Sequence, residues 1–155
     1  MSDAVYISRN TVFAATSGSA KTVLKLVTPI TFNIEIVEMA LFLDGVTSSA
    51  VPATWDLFTS DETTAGTGVG TAVTTQVRGR AQANGLTVTQ NHSAEGTTYT
   101  VVKSGFVPQY MGSLVLPNPL DTGESSPPDA ADSIGLRINV TANVNVLAWL
   151  KWCRA

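Results

Sequence analysis

Alternation is the feature that most constrains this chain. Short stretches of apolar and polar residues at period two are separated by Gly, Pro, Asn and Asp, and no window carries the 3.6-residue period of a helix. The sequence holds 21 Thr and 18 Val, both β-branched and both suited to a pleated, half-buried surface. Of its 155 residues, 44% are hydrophobic and only 14% charged, a balance that excludes disorder driven by charge. One all-β domain is expected, long enough to bury a core without a disulfide or a metal.

The stretch from Phe32 to Leu43 is the most informative. Phe32, Ile34 and Ile36 alternate with Asn33 and Glu35, and from Val37 onward the apolar set becomes Val37, Met39, Leu41 and Leu43. A shift of one residue exchanges the faces of a strand, so either a bulge lies near Ile36 or the second half is buried on both sides. In the closing stretch Val144 to Trp152, Val146, Ala148 and Leu150 oppose Leu147 and Trp149, again giving two apolar faces. Other strands are expected over 22–28, 53–60, 86–90, 97–107, 112–116 and 136–141, with a weak one at 76–81 and turns at Asp44-Gly45 and Asn84-Gly85. Residues 61–75 read as a long mobile loop, and residues 117–132 as a Pro-rich acidic one. About eight short strands with long connections predict a jelly-roll-like β-sandwich. Residues 1–20 are expected to form an N-terminal arm or short strands, and 21–155 the sandwich.

Charge and cysteine usage narrow the function. The net charge is −3 and the nine basic residues are scattered, so no basic stripe is available to release counterions from a nucleic acid. The longest apolar run is five residues, Met39 to Leu43, far short of the roughly 20 that span a bilayer. No signal-peptide core opens the chain, so synthesis in the host cytoplasm without secretion by a cleaved signal is expected, with no membrane partner. One cysteine, Cys153, and one histidine, His92, cannot build an internal disulfide or a zinc site.

Catalytic chemistry finds little support in the residues. His92 lies in the polar stretch TQNHSAEG and reads as an exposed loop residue, with no nucleophile or carboxylate spaced to serve it. Glu35 and Asp56 could sit on adjacent strands as a carboxylate pair, but polar residues on a wet face give the same pattern. Asp121, Glu124, Asp129 and Asp132 lack the ligand spacing of a calcium loop. Gly66, Gly68 and Gly70 lack the Lys-Ser or Lys-Thr of a phosphate loop and read as flexible-loop glycines. No enzyme activity and no cofactor are expected.

The surplus of apolar residues points elsewhere. A two-layer sandwich covers one face of each sheet, so a second apolar face implies a contact between molecules. The candidate interface comprises Val37, Met39, Leu41, Leu43, Leu147 and Trp149, with Trp149 and Trp152 as rigid anchors. A bulge that reassigns the faces of Phe32 to Leu43 would remove part of it.

The segments TVLKLVTP at 22–29, IEIVE at 34–38, FLDG at 42–45, PATWDL at 52–57, PNPL at 117–120 and GLRINV at 135–140, with the Val144–Trp149 strand, carry a resemblance. In this pattern of strands and turns the chain resembles head decoration (cement or auxiliary) proteins of tailed bacteriophages. The resemblance implies a virion protein on the capsid surface, a homotrimer that bridges subunits of the major capsid protein and has no catalytic role. The capsid-binding residues stay unassigned. Composition alone also fits a phage tail, fibre or baseplate component. A jelly-roll carbohydrate-binding module would have to present Trp55, Tyr99 or Tyr110 as its aromatic platform.

Overall fold

The computed structural model describes residues 4–46, 51–60, 66–116 and 132–154. These residues form eleven strands and no helix: β1 Val5–Arg9, β2 Phe13–Ala15, β3 Lys21–Val27, β4 Ile34–Leu43, β5 Ala53–Ser60, β6 Val73–Arg78, β7 Thr87–Gln90, β8 Thr100–Val107, β9 Ser113–Leu116, β10 Ser133–Asn139 and β11 Val144–Arg154. They build two antiparallel sheets. The first runs β6-β1-β11-β4-β9, with β2 continuing the line of β1 along β11, and the second runs β7-β3-β10-β5-β8. The all-β sandwich expected from sequence is the observed fold, with eleven strands rather than about eight.

Successive strands cross from one sheet to the other, except that β1 and β2 both lie in the first sheet and β7 and β8 both lie in the second, at its two edges. The core lies between the sheets, where Leu24, Leu26, Leu57, Leu136 and Ile138 of the second sheet meet Ile34, Ile36, Met39, Leu41, Leu150 and Trp152 of the first, all essentially without exposure.

A bulge settles how β4 is oriented. Lys151 pairs with Glu38, and the next residue, Trp152, pairs with Ile36, so Val37 is the extra residue. Ile34 and Ile36 before it, and Met39, Leu41 and Leu43 after it, therefore all face the core. Without the extra residue the second half of the strand would turn its apolar set outward.

Of the two forms expected for residues 1–20, the described residues take the short strands, β1 and β2, rather than an arm. β1 sits between β6 and β11 inside the first sheet, so it belongs to the same sandwich as the strands after residue 20. Tyr6 stacks on Trp152 with ring centroids 4.5 Å apart, and the Trp152 indole donates to Ser8 Oγ at 3.0 Å. Aromatic burial of this kind ties β1 to the core.

The stretch expected as a loop at 61–75 is partly regular. Val73–Thr75 belong to β6, while Thr67 and Thr71 bridge to Ala94 and Thr89. Gly66 packs so tightly that a Cβ would come within 2.2 Å of Ala94 O. The glycine there serves close packing rather than flexibility. Residues 61–65 and the acidic loop at 117–131 lie outside the described residues.

Candidate interaction surface

The two outer faces of the sandwich differ in how they are covered. On the second sheet, Phe58 is buried beneath Tyr99, whose ring meets it edge-on at 5.8 Å. The Arg137 guanidinium lies 3.8 Å over the Tyr99 ring and bonds Asp56 at 2.8 Å. Burial works against the charge of Arg137, but hydrogen bonds to Asp56 and Tyr99 more than offset it and hold the guanidinium pKa above its ordinary value. Aromatic and ionic groups of this chain thus cover the face over β5 and β10, while Val101 and Phe106 of the neighbouring edge strand β8 stay exposed.

The outer face of the first sheet has no such cover. Alternation on β11 places Leu147, Trp149, Lys151 and Cys153 outward, between the buried Val146, Ala148, Leu150 and Trp152. On β4 the outward residues are Glu35, Glu38, Ala40 and Phe42, and on β9 Val115. Phe42 is 37% exposed, Leu147 43% and Val115 47%. Phe42 pairs directly with Leu147, and one row of register partners runs Val73, Arg9, Trp149, Ala40, Val115 across all five strands. Val12, 59% exposed, adds to the patch beside β2. Large apolar side chains contiguous on an exposed face mark a contact site.

Charges frame the apolar stripe. Glu35 and Glu38 lie on β4, and Arg9 lies on β1 with Arg78 opposite Val5 on β6. Lys151 on the central strand bonds Glu38 of its own chain at 3.2 Å.

The six residues expected at an interface therefore divide. Leu147 and Trp149 face outward on this surface, and Val37 is half-buried at the bulge. Met39, Leu41 and Leu43 are core residues and cannot contact a partner, because the bulge turns them inward. Phe42, Val115 and Val73 were missed. A bulge placed after Ile36 would have found Phe42 from the sequence, whereas Val115 and Val73 join only through strand pairing.

Other candidates take positions unlike those expected. His92 is 1% exposed rather than an open loop residue, because residues 66–70 pack over it: a Cβ at Gly68 would lie 3.3 Å from its Nε2. Burial lowers its pKa below 6.5, with Lys25 acting in the same direction and Glu95 against it. Its Nε2 meets Thr89 Oγ1 at 2.9 Å, while Glu95 is engaged by the Thr22 hydroxyl at 2.6 Å and the Thr22 amide at 2.7 Å. No carboxylate among the described residues hydrogen-bonds the imidazole, so the arrangement of a nucleophile, base and orienting acid is not assembled there. Glu35 and Asp56 lie on outward positions of opposite sheets and are no pair.

The aromatic residues considered for glycan stacking are dispersed. Trp55 is buried against Gly105, where a Cβ would lie 2.9 Å from the indole; Tyr99 is engaged with Phe58 and Arg137; Tyr110 is half exposed at one end of the sandwich. An open groove is lined by Ala14, Asp44, Val46, Asn143 and Asn145. Its polar groups are already used, since both Asp44 oxygens accept from Asn145 at 2.7 Å and Asn143 Oδ1 accepts from the Ser17 amide. Those two bonds from Asn145 hold the Asp44 pKa below 3.8.

No protein-family model, curated protein or solved structure matches this chain.

Proposed function

We propose that the chain is a structural virion protein that binds the outside of a phage capsid and stabilises the shell by bridging subunits of the major capsid protein. The observation that carries this reading is the open outer face of the first sheet, where Phe42, Leu147, Trp149 and Val115 form an apolar surface framed by charge. Such a surface suits a protein partner better than a small molecule, because it is a broad sheet face rather than a pocket with convergent polar groups. The resemblance of the strand and turn pattern to decoration proteins supplies the identity of that partner.

The mechanism is one of linkage. A protein that binds the assembled shell and not its free subunits stabilises the shell by mass action. Repetition over a lattice multiplies modest contacts into a large resistance to internal pressure. A rigid sandwich suits this role, since little ordering entropy is lost when it docks.

The test is a density gradient of the source lysate, with fractions probed for this chain. Banding with DNA-filled particles at hundreds of copies per particle is the expected result. A handful of copies would assign the chain to the tail, fibre or baseplate. Recovery only with soluble protein would overturn the virion reading.

A further inference from the structure

We propose that the outer face of the first sheet is closed by a second copy of this chain, packed face to face about a two-fold axis that runs along β11. The proposal names the occupant of the surface on which the functional reading rests, and it can fail while capsid binding stands.

The order β6-β1-β11-β4-β9 has β11 at its centre. A two-fold along β11 lays β1 over the partner's β4 and β6 over the partner's β9. The shared row Val73, Arg9, Trp149, Ala40, Val115 then meets its own reverse. Val73 lies on Val115, Trp149 meets its own copy at the axis, and Arg9 lies over Ala40. An isologous contact of this kind needs a self-complementary surface, and this face provides one.

Charge gives the same answer. The acidic half of the face carries Glu35 and Glu38 on β4, and the basic half carries Arg9 on β1 with Arg78 on β6. The two-fold superposes each half on its opposite. Arg9, over the partner's Ala40, comes within reach of the partner's Glu38, the next outward position on the same strand. Lys151 approaches its own copy near the axis, but each is bonded to Glu38 of its own chain. A translation, or a two-fold across the strands, would not pair the halves in this way.

Size is sufficient. At about 3.4 Å per residue and about 4.8 Å between strands, the face covers roughly 600 Å² per copy before side-chain relief is counted, close to the roughly 800 Å² per partner of a stable complex. Stacked sheets align within about 30° of each other, which a two-fold nearly parallel to the strands satisfies. The dimer so formed stands in place of the homotrimer that the resemblance implies.

Light scattering on the purified full chain, with concentration varied across the micromolar range, is the decisive measurement. The expected mass is twice the 16.3 kDa of one chain; a monomer throughout, or a trimer, overturns the proposal. Leu147→Glu and Trp149→Asp are each expected to give folded monomers, and the exposed position of Leu147 keeps that variant informative if Trp149→Asp fails to fold. Arg9→Glu should raise the dimer dissociation constant at least about tenfold, by setting a carboxylate against Glu38. Phe106→Glu, on the other sheet, should leave the dimer unchanged. A short bismaleimide joining the two Cys153 side chains, which both lie along the axis, should trap a covalent dimer in the parent but not in Leu147→Glu. If Phe106→Glu dissociates the dimer and Leu147→Glu does not, the assigned face is wrong. Capsid binding by the monomeric Leu147→Glu variant would separate this proposal from the functional one.

Discussion

Asn10 and Asn91 meet side chain to side chain, Nδ2 to Oδ1 at 3.0 Å, across 81 residues of chain. Asn10 stands where the opening segment leaves β1 and has not yet entered β2, so regular pairing with β11 is interrupted there. Its side chain adds to the backbone bond from Asn10 N to Ala148 O: Oδ1 accepts from the Ala148 amide at 2.8 Å, and Nδ2 also donates to Val146 O at 3.2 Å. Asn91, at φ 50°, donates onward to Thr11 O at 3.1 Å, and the Thr11 amide donates to Gln90 Oε1 at 2.7 Å. Side chains thus tie the first sheet to the turn after β7 in the second.

Asn10→Ala strips buried groups on both sheets of their partners. A loss of about 2–4 kcal/mol is expected, since each buried polar group left unpaired costs roughly 1–3 kcal/mol. Thr11→Ala should cost about 1 kcal/mol or less, because Asn91 keeps the Thr11 carbonyl as acceptor. Urea unfolding of the two variants beside the parent measures both values. Equal losses would show that Asn10 is no more than an ordinary strand-end residue.

Deleting Val37 tests the bulge. Removing one residue from β4 forces either Ile34 and Ile36, or Met39, Leu41 and Leu43, out of the core. Either set carries several fully buried side chains, so ΔVal37 should fail to fold cooperatively. Val37→Thr keeps the residue count and should stay within about 1 kcal/mol of the parent, as half-buried strand positions away from the core do. Near-UV circular dichroism and urea unfolding distinguish the outcomes, and a folded deletion variant would refute the role given to the bulge.

The same position shows how much was legible in the sequence. Alternation fixed the all-β class and the inward set of β11, whereas Asn84-Gly85 makes no hairpin: Gly85 has φ 72° and Asn84 Oδ1 accepts from the Leu86 amide, but β6 and β7 lie in opposite sheets. On β4 the periodicity left two solutions, because a strand with an inserted residue and a strand buried on both faces give the same apolar pattern. The difference lies in pairing with β11, which no local window contains. The burial of Tyr6 and of His92 was hidden for the same reason. Tyr6 is buried by Trp152 from the other end of the chain, and His92 by the glycine-rich segment at 66–70. The candidate surface was half legible: Leu147 and Trp149 could be found on β11 alone, whereas Val73 and Val115 become their neighbours only when the sheet assembles.

The buried His92 predicts an acid-side loss of stability. Burial holds its native pKa below 6.5, so as the pH falls the unfolded chain takes up the proton first. Stability is therefore fully present above pH 6.5 and declines as the pH falls from 6.5 toward the lowered native pKa. His92→Gln removes the titrating group while leaving an amide to meet Thr89. Unfolding curves at pH 7.5 and 5.5 should show a smaller difference for the variant than for the parent. An identical difference in the two proteins would mean that His92 does not titrate between folded and unfolded states as described.

Arg137 and Asp56 supply the last prediction. Their side chains are only 10% and 24% exposed and bond at 2.8 Å on neighbouring strands, where Arg137 and Asp56 are direct register partners. A buried pair of this kind adds little over a well-packed apolar pair, but removing one member leaves the other charged and poorly solvated. Asp56→Ala should therefore cost about 2–4 kcal/mol, since Arg137 loses its carboxylate while the strand around it holds its shape. Arg137→Ala should cost at least as much, because Tyr99 also loses the guanidinium stacked 3.8 Å over its ring. The double variant should fall well short of the sum of the two, since it removes the interaction once. A double-mutant cycle by urea unfolding reads the coupling directly. Additive losses would mean that the two groups contribute through packing alone, and that the closure of this face owes nothing to their charge.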